Sequence, residues 1–147
     1  MKTTLNKIRA CSPCASGWTK LLNNLGKTHA DDEPLAITTI LDSNGLGDAL
    51  WCLRAVEGHQ KEMRLYAVDC ARSVQNLTTN ARSLAAIDVA ERYANGAATY
   101  EELAAAWNTT WDAAKDAARD AAWDAAREVQ ADLLRIVCAE IEQRDSK

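Results

Sequence analysis

A chain of 147 residues with 48% apolar and 26% charged residues has the composition of a globular protein that can build a core. Its formal charge of −4 is unevenly placed: residues 1–98 carry 11 Lys or Arg and 10 Asp or Glu, whereas residues 99–147 carry 6 and 11. Because basic residues do not cluster, direct binding of nucleic acid is not expected. No apolar run reaches the length of a membrane span and no secretory signal is visible, so we expect a cytoplasmic chain with reduced cysteines and no membrane contact.

The N-terminal quarter predicts two short helices. The first covers residues 4–11, where apolar side chains recur with helical spacing. Ser12 followed by Pro13 predicts the N-cap and first turn of the second helix. Gly26 is expected to end it, because glycine readily adopts the left-handed conformation that terminates helices.

The segment after Pro34 is open to two interpretations. Residues 36–41 are β-branched enough to form a strand. No partner strand is apparent elsewhere in the sequence, so we predict a helix over residues 35–41. Residues 42–47, Asp-Ser-Asn-Gly-Leu-Gly, predict a turn, and residues 48–56 a further helix.

Two amphipathic helices follow in the middle of the chain. Within residues 60–77 the inner side chains are predicted to be Met63, Ala67, Cys70, Val74 and Leu77. A break at residues 80–83 precedes a helix over residues 84–94. Arginines recur through this region and are expected to pair with carboxylates of neighbouring helices; they are Arg54, Arg64, Arg72, Arg82 and Arg92.

The C-terminal third predicts one helix from Thr99 to Gln143, because neither Gly nor Pro interrupts it. Thr99 and Glu102 predict a capping box at its start. The face expected to dock onto the rest of the chain holds Trp107, Trp111, Val129, Leu133 and Ile136. The predicted fold is therefore an all-α, single-domain bundle of six or seven helices over residues 1–147, with a body of short helices at 1–98 and a very long helix at 99–144.

An Asp-Ala-Ala repeat makes the outer surface of this long helix acidic. Since a four-residue step overshoots the helical period, the aspartates wind slowly around the helix. Viewed down the helix axis, Trp123 points in a direction between those of Asp112 and Asp116. It belongs either to a broad apolar arc with Leu134 and Ile141 or to an interface with a partner or a second copy of the chain. The candidate partner-binding residues are Asp112, Asp116, Asp120, Trp123 and Asp124.

Cys11 and Cys14 form a Cys-x-x-Cys motif at a predicted helix start. A helix N-terminus lowers the pKa of a thiol, which makes redox chemistry an alternative. A redox motif of this kind normally follows a strand in a βαβ unit, and a zinc site needs two further ligands. The sequence supplies neither, so two reduced thiols at a helix cap are the favoured interpretation and Cys11 and Cys14 remain weak metal candidates.

Three blocks of sequence resemble a family of small helical proteins of tailed phages and prophages. The blocks are Leu41 to Val56, Arg64 to Val74, and the Asp-Ala-Ala array after Trp107. The chain is also distantly similar to proteins assigned as immunity proteins of bacterial toxin systems. The resemblance implies a mobile-element context in a bacterial cytoplasm and binding to another protein. It carries no catalytic residues onto this chain.

These patterns favour a non-enzymatic accessory protein that needs no cofactor. We expect it to bind and inhibit a protein target, such as a host defence complex of the CRISPR type, because an acidic helix can occupy a basic nucleic-acid channel. An immunity protein that neutralises a toxin is the first alternative. A thiol- or metal-dependent protein that uses Cys11 and Cys14 is the second, and self-association through the long helix is a further possibility.

Overall fold

The computed structural model describes residues 1–73, 75, 81–106 and 121–145, with the backbone alone for residues 121–126. The elements in order are β1 (Lys2–Thr3), α1 (Leu5–Ala10), α2 (Ala15–Asn24), β2 (Leu35–Ala36), α3 (Ile37–Asn44), α4 (Leu46–Cys52), a 3-10 turn (Leu53–Ala55), α5 (Gln60–Ser73), α6 (Ala81–Ala94), α7 (100–106) and α8 (Ala121–Asp145). The described chain is mostly helical, as predicted. Within the described ranges, no helix combines the length and apolarity needed to cross a bilayer.

The chain divides into two compact units. Unit 1 comprises Met1–His59 and Leu134–Lys147, and unit 2 comprises Gln60–Leu133. Helix α8 contributes to both units, because the division falls inside it. The single domain expected over residues 1–147 remains a prediction, because this division into units does not test it.

A short antiparallel sheet in unit 1 corrects one sequence prediction. Lys2 pairs with Ala36 and Thr3 with Leu35, so the helix predicted over residues 35–41 begins only at Ile37. The prediction missed the strand because its partner lies more than thirty residues away at the N-terminus. The buried hydroxyl of Thr3 also donates a hydrogen bond of 2.6 Å to a carbonyl oxygen of the 3-10 turn, which links the sheet to the helical part of unit 1.

Local capping sets the ends of α1 and α2. Thr4 is the N-cap of α1, and its hydroxyl accepts a hydrogen bond of 3.2 Å from the backbone N–H of Lys7. The N-cap of α2 is Cys14 rather than the predicted Ser12, because Ser12 has a left-handed backbone with φ of 58°. Helix α2 ends as predicted at Gly26, which has φ of 64° and the backbone hydrogen bonds of a Schellman motif.

Gly45 joins α3 directly to α4. The predicted turn over residues 42–47 shrinks to this residue, since Asn44 still belongs to α3 and Leu46 already begins α4. Gly45 has φ of 94° and ψ of 174°, a backbone region open essentially to glycine alone. The tight connection lets residues 42–44 form the last turn of a helix and places the side chain of Asn44 and the backbone carbonyl of Ser43 beside α2.

The core of unit 1 draws on distant parts of the chain. Its N-terminal contribution includes the buried side chains Leu5, Ile8, Leu21, Ile37, Ile40 and Ala49. Its contribution from α8 consists of Leu134, Cys138 and Ile141. The spacing of four and then three residues aligns these three side chains on one face of the helix.

This buried face differs from the docking face predicted for the C-terminal helix. Ile136 is 54% exposed and Val129 is 44% exposed, so both expectations are wrong. The buried stripe begins at Leu134, about 140° around the helix from Val129. This face is buried in preference to the predicted one because Leu134, Cys138 and Ile141 form a continuous apolar stripe. Val129 and Ile136, in contrast, alternate with charged residues. Leu133 is half-buried, and Trp107 and Trp111 lie outside the described residues.

Ion pairs and ring contacts connect the helices of unit 2. Arg72 of α5 donates to Asp88 of α6 at 2.9 Å and also pairs with Glu91. Arg92 of α6 pairs with Glu102 of α7 at 3.2 Å. These pairs confirm the expectation that arginines of the middle helices meet carboxylates of their neighbours. Two other arginines stack on aromatic rings instead: Arg64 on Tyr93 in unit 2, and Arg54 on Trp51 in unit 1.

The inner face predicted for α5 is partly wrong. Tyr66 and Val68 are buried, whereas Ala67 is exposed. The hydroxyl of Tyr66 donates a hydrogen bond of 3.1 Å to the carbonyl oxygen of Gln130 in α8, which explains why this tyrosine takes the inner position. Val74 and Leu77, the last two predicted inner residues, lie outside the described part of the chain.

The start of the predicted long helix is confirmed. The backbone N–H of Thr99 donates to the carboxylate of Glu102 at 2.7 Å, and the backbone N–H of Glu102 donates to the hydroxyl of Thr99 at 3.2 Å. This is the predicted capping box. Residues 100–106 and Ala121–Asp145 are helical, but residues 107–120 lie outside the described ranges. One helix running unbroken from Thr99 to Gln143 therefore stays a prediction.

Candidate functional site

The residues predicted to bind a partner fall where the structure describes little. Asp112, Asp116 and Asp120 lie outside the described residues. Trp123 and Asp124 belong to the backbone of α8, and their side chains lie outside the description as well. The candidate surface on the acidic repeat therefore remains a prediction from the sequence.

Further along α8, the described side chains form an exposed face that is both acidic and apolar. We call Val129 and Ile136, with the exposed carboxylates Glu128, Asp132 and Glu140, the α8 outer face. The two apolar residues are seven positions apart and so lie on nearly the same side of the helix. These two side chains leave apolar area exposed among carboxylates on this face of α8.

A second candidate site in unit 1 centres on Cys14. Its side chain is exposed at the N-cap of α2. Its sulfur lies 3.6 Å from the hydroxyl oxygen of Ser16. Hydrogen bonding from Ser16, and then from the backbone N–H of Gly17, lowers the pKa of the Cys14 thiol, while the charge of Asp48 opposes this shift. The local structure therefore stabilises the thiolate form of Cys14.

The other cysteines occupy different environments. Burial raises the pKa of Cys52 to about 11 and also raises the pKa of Cys70 and of Cys138. Cys11 is half-buried after α1, whereas its motif partner Cys14 caps α2, so the two motif cysteines differ in exposure. All five are free thiols. Among the described residues, no three His, Cys, Asp or Glu side chains converge on a common point that could hold a metal ion.

A glycine lets α2 and α4 approach each other at this site. A Cβ on Gly17 would lie 2.9 Å from a carboxylate oxygen of Asp48 and 3.2 Å from the sulfur of Cys14. The side-chain amide of Asn44 donates to the carbonyl oxygen of Gly17 at 2.9 Å and to the Asp48 carboxylate at 2.8 Å. The amide thus holds the carboxylate beside the start of α2 and fixes the distance between the helices.

The close approach leaves a cavity of about 150 Å³ beside Cys14, which we call the apolar hollow. Its apolar walls include Ile8, Trp18, Leu21 and Trp51, and its polar lining includes Asp48. Of the two cysteines that the sequence motif indicated, Cys14 lines this hollow and Cys11 does not. Trp18 lies in α2, whereas Asp48 and Trp51 both lie in α4, and no spacing in the sequence predicts that these two helices meet here.

A wider depression of about 430 Å³ adjoins the apolar hollow, and we call it the basic hollow. Arg9, Thr28 and His29 line it. Pro13 and Trp18 line both hollows, so the two lie next to each other at these residues. The hydroxyl of Thr28 and the Nδ1 atom of His29 lie 3.2 Å apart, within hydrogen-bond distance.

No protein-family model, curated protein or solved structure matches this chain. The resemblance to phage and prophage proteins therefore rests on the three sequence blocks alone.

Proposed function

We propose that this protein is a non-enzymatic accessory protein of a phage or prophage that binds and inhibits a protein target. The observation that carries the proposal is the acidic C-terminal segment, where residues 99–147 hold 11 Asp or Glu against 6 Lys or Arg. The α8 outer face supports it, since Val129 and Ile136 stay exposed among carboxylates. In this proposal the helix continues from Thr99 to Gln143 and carries Asp112, Asp116, Asp120, Trp123 and Asp124 toward the target.

The chemistry of such a surface favours a basic partner. Carboxylates in a row attract a lysine- and arginine-rich channel and increase the rate of encounter, while apolar side chains supply contact area that excludes water. A nuclease or a CRISPR-type effector complex presents such a channel to nucleic acid. The acidic segment would compete for it by charge and would bind less tightly as salt increases.

Co-elution of the purified protein with candidate nucleases tests this function. Reversal of Asp112, Asp116, Asp120 and Asp124 to lysine is expected to abolish co-elution. The double variant D116K/D120K has a matched control in D32K/D69K. The control changes the net charge by the same amount, but at exposed carboxylates of residues 1–98. Binding that survives the fourfold reversal, or that falls equally in both double variants, would contradict an acidic binding surface.

The identity of the captured protein separates two forms of the proposal. Capture of a defence complex supports an inhibitor of host defence. Capture of a bacterial toxin, with protection of cells that express both proteins, supports an immunity protein instead. Light scattering on the free protein tests self-association through the long helix, and a monomer at high concentration would exclude that mode.

The local environment of Cys14 favours a second candidate function, a thiol-dependent activity in unit 1. Hydrogen bonds lower the pKa of this exposed thiol, whereas burial raises the pKa of three of the others. Limited alkylation at neutral pH, followed by mass spectrometry, should label Cys14 first. Equal labelling of Cys14 and Cys70 would contradict a specially reactive thiol.

A further inference from the structure

The two adjoining hollows of unit 1 have complementary linings. Pro13 and Trp18 line both of them. The apolar hollow is walled mainly by hydrocarbon and indole. The basic hollow shares an apolar wall, to which Ala15 and Leu22 contribute, and adds the polar side chains of Arg9, Thr28 and His29. A single small molecule that spans Trp18 would therefore meet an apolar and a cationic environment in succession.

The size of the apolar hollow limits what can enter it. Apolar cavities of about 150 Å³ in proteins stay dry and accept a ligand of the size of benzene. The cavity beside Cys14 has the same volume, about 150 Å³. Its one carboxylate, Asp48, already accepts a hydrogen bond from Asn44 at 2.8 Å, and a second negative charge beside it would be repelled. The hollow thus fits an uncharged ring of phenyl size.

The basic hollow fits the opposite end of a ligand. Among the residues that the structure describes, no Asp or Glu lines it. Arg9 is exposed at its edge, and within the described part of the chain no carboxylate forms an ion pair with this guanidinium. A guanidinium offers paired donors that match a carboxylate or a similar planar anion. The Thr28 hydroxyl and the His29 ring add polar atoms along the same wall.

We propose that unit 1 binds a small amphiphilic anion across Trp18. An aromatic or branched apolar group occupies the apolar hollow beside Cys14, and a carboxylate or equivalent anion at the end of a short linker reaches Arg9 in the basic hollow. This site uses no residue of the acidic C-terminal surface. Its ligand binding and the capture of a protein target can therefore succeed or fail independently.

The test is a titration of the full chain, labelled with nitrogen-15. The amide and indole NMR signals report the binding of each ligand. The ligands are 3-phenylpropionate, its neutral amide and 3-phenylpropylamine, which share a ring and differ in charge. We expect saturable binding of the anion with shifts confined to residues around Trp18 and Trp51, weaker binding of the amide and the weakest binding of the amine. Absence of saturable binding, or shifts scattered over both units, overturns the proposal.

Three variants separate the two halves of the site. R9Q should weaken binding of 3-phenylpropionate by about two- to fivefold, the range of an exposed ion pair, without affecting the amide. K7Q removes the same charge from α1 outside both hollows and should leave the affinity unchanged. C14M fills space at the apolar hollow from an exposed position and should weaken all three ligands. Equal effects of R9Q and K7Q, or unchanged binding to C14M, would overturn the assignment.

Discussion

The sulfur of Cys14 and the hydroxyl oxygen of Ser16 lie 3.6 Å apart in the first turn of α2. This contact is the largest cause of the lowered thiol pKa, ahead of the backbone N–H of Gly17. A thiolate is the reactive form of cysteine, so a lowered pKa extends reactivity to lower pH. At the scale of one residue, the second-position hydroxyl of the helix therefore tunes the chemistry of its N-cap.

Removing that hydroxyl gives a direct prediction. In S16A, the pH at which alkylation of Cys14 reaches half its maximal rate should rise, because the thiolate loses its main hydrogen-bond donor. The rate is followed with iodoacetamide over a pH series and resolved by mass spectrometry. T19A, an exposed change one turn further along the same helix, should leave the profile unchanged. Identical profiles for S16A and the unaltered chain would show that Ser16 does not control this thiol.

A second prediction at the residue scale concerns the carboxylate of Glu102. The backbone N–H of Thr99 is the main cause that holds its pKa below the ordinary value, and Arg92 adds a smaller contribution. Because the pKa is lower in the folded chain, the cap stabilises the helix start above the unfolded pKa and loses this effect as pH falls through the folded pKa. The amide signal of Thr99 should titrate with the same midpoint as the Glu102 carboxyl carbon.

The variant R92Q provides the control for this titration. It removes the smaller contribution and should raise the midpoint only slightly, leaving it below that of an ordinary glutamate. If the amide of Thr99 does not follow the titration of Glu102, the reciprocal capping box is absent in solution.

At the scale of one element, α8 offers a matched pair of substitutions two residues apart. Leu134 is fully buried in unit 1, whereas Ile136 is 54% exposed. Leu134→Ala should lower the free energy of unfolding by about 2–5 kcal/mol, the usual loss for a buried leucine. Ile136→Ala should change it by about 0.5 kcal/mol or less, as surface substitutions do. Urea unfolding followed by circular dichroism measures both.

This pair also decides which face of α8 is the inner face. A large loss for Ile136→Ala with a small loss for Leu134→Ala would restore the docking face predicted from the sequence. The order expected here would leave Ile136 available for a partner, and I136E would then reduce target binding without reducing stability. Ala139, exposed on the same helix, supplies the control substitution A139E.

Across the whole molecule, several local signals in the sequence were confirmed, although the N-cap predicted at Ser12 was wrong. Gly26 ends α2, Thr4 begins α1, and Thr99 with Glu102 caps α7, because each of these devices acts within a few residues. Pairings between distant segments were missed. Neither the β1–β2 sheet nor the meeting of Cys14 with Asp48 leaves a periodic trace in the sequence, since each depends on how segments distant in the sequence come together.

The inner face of α8 was missed for a related reason. Its direction was extrapolated from Trp111 along one straight helix, and small angular errors accumulate over many turns. Burial is decided instead by the surface that unit 1 presents, which accepts the stripe of Leu134, Cys138 and Ile141. The acidic repeat could be proposed as a candidate surface from the sequence because its charge depends on amino-acid composition and not on how the helices pack.

Unit 1 is built from residues at opposite ends of the chain, and this gives a prediction for the molecule as a whole. Leu134, Cys138 and Ile141 are buried in its core. Burial of the leucine and isoleucine alone contributes about 3–6 kcal/mol, a large share of the roughly 5–15 kcal/mol that stabilises an ordinary domain. A chain truncated after Leu133 should therefore lose dispersed NMR signals from residues 1–59. A chain truncated after Glu142, which lacks only exposed residues of α8 and the two that follow, should keep them. Retention of the native spectrum for residues 1–59 in the shorter chain would show that the N-terminal segment folds without α8.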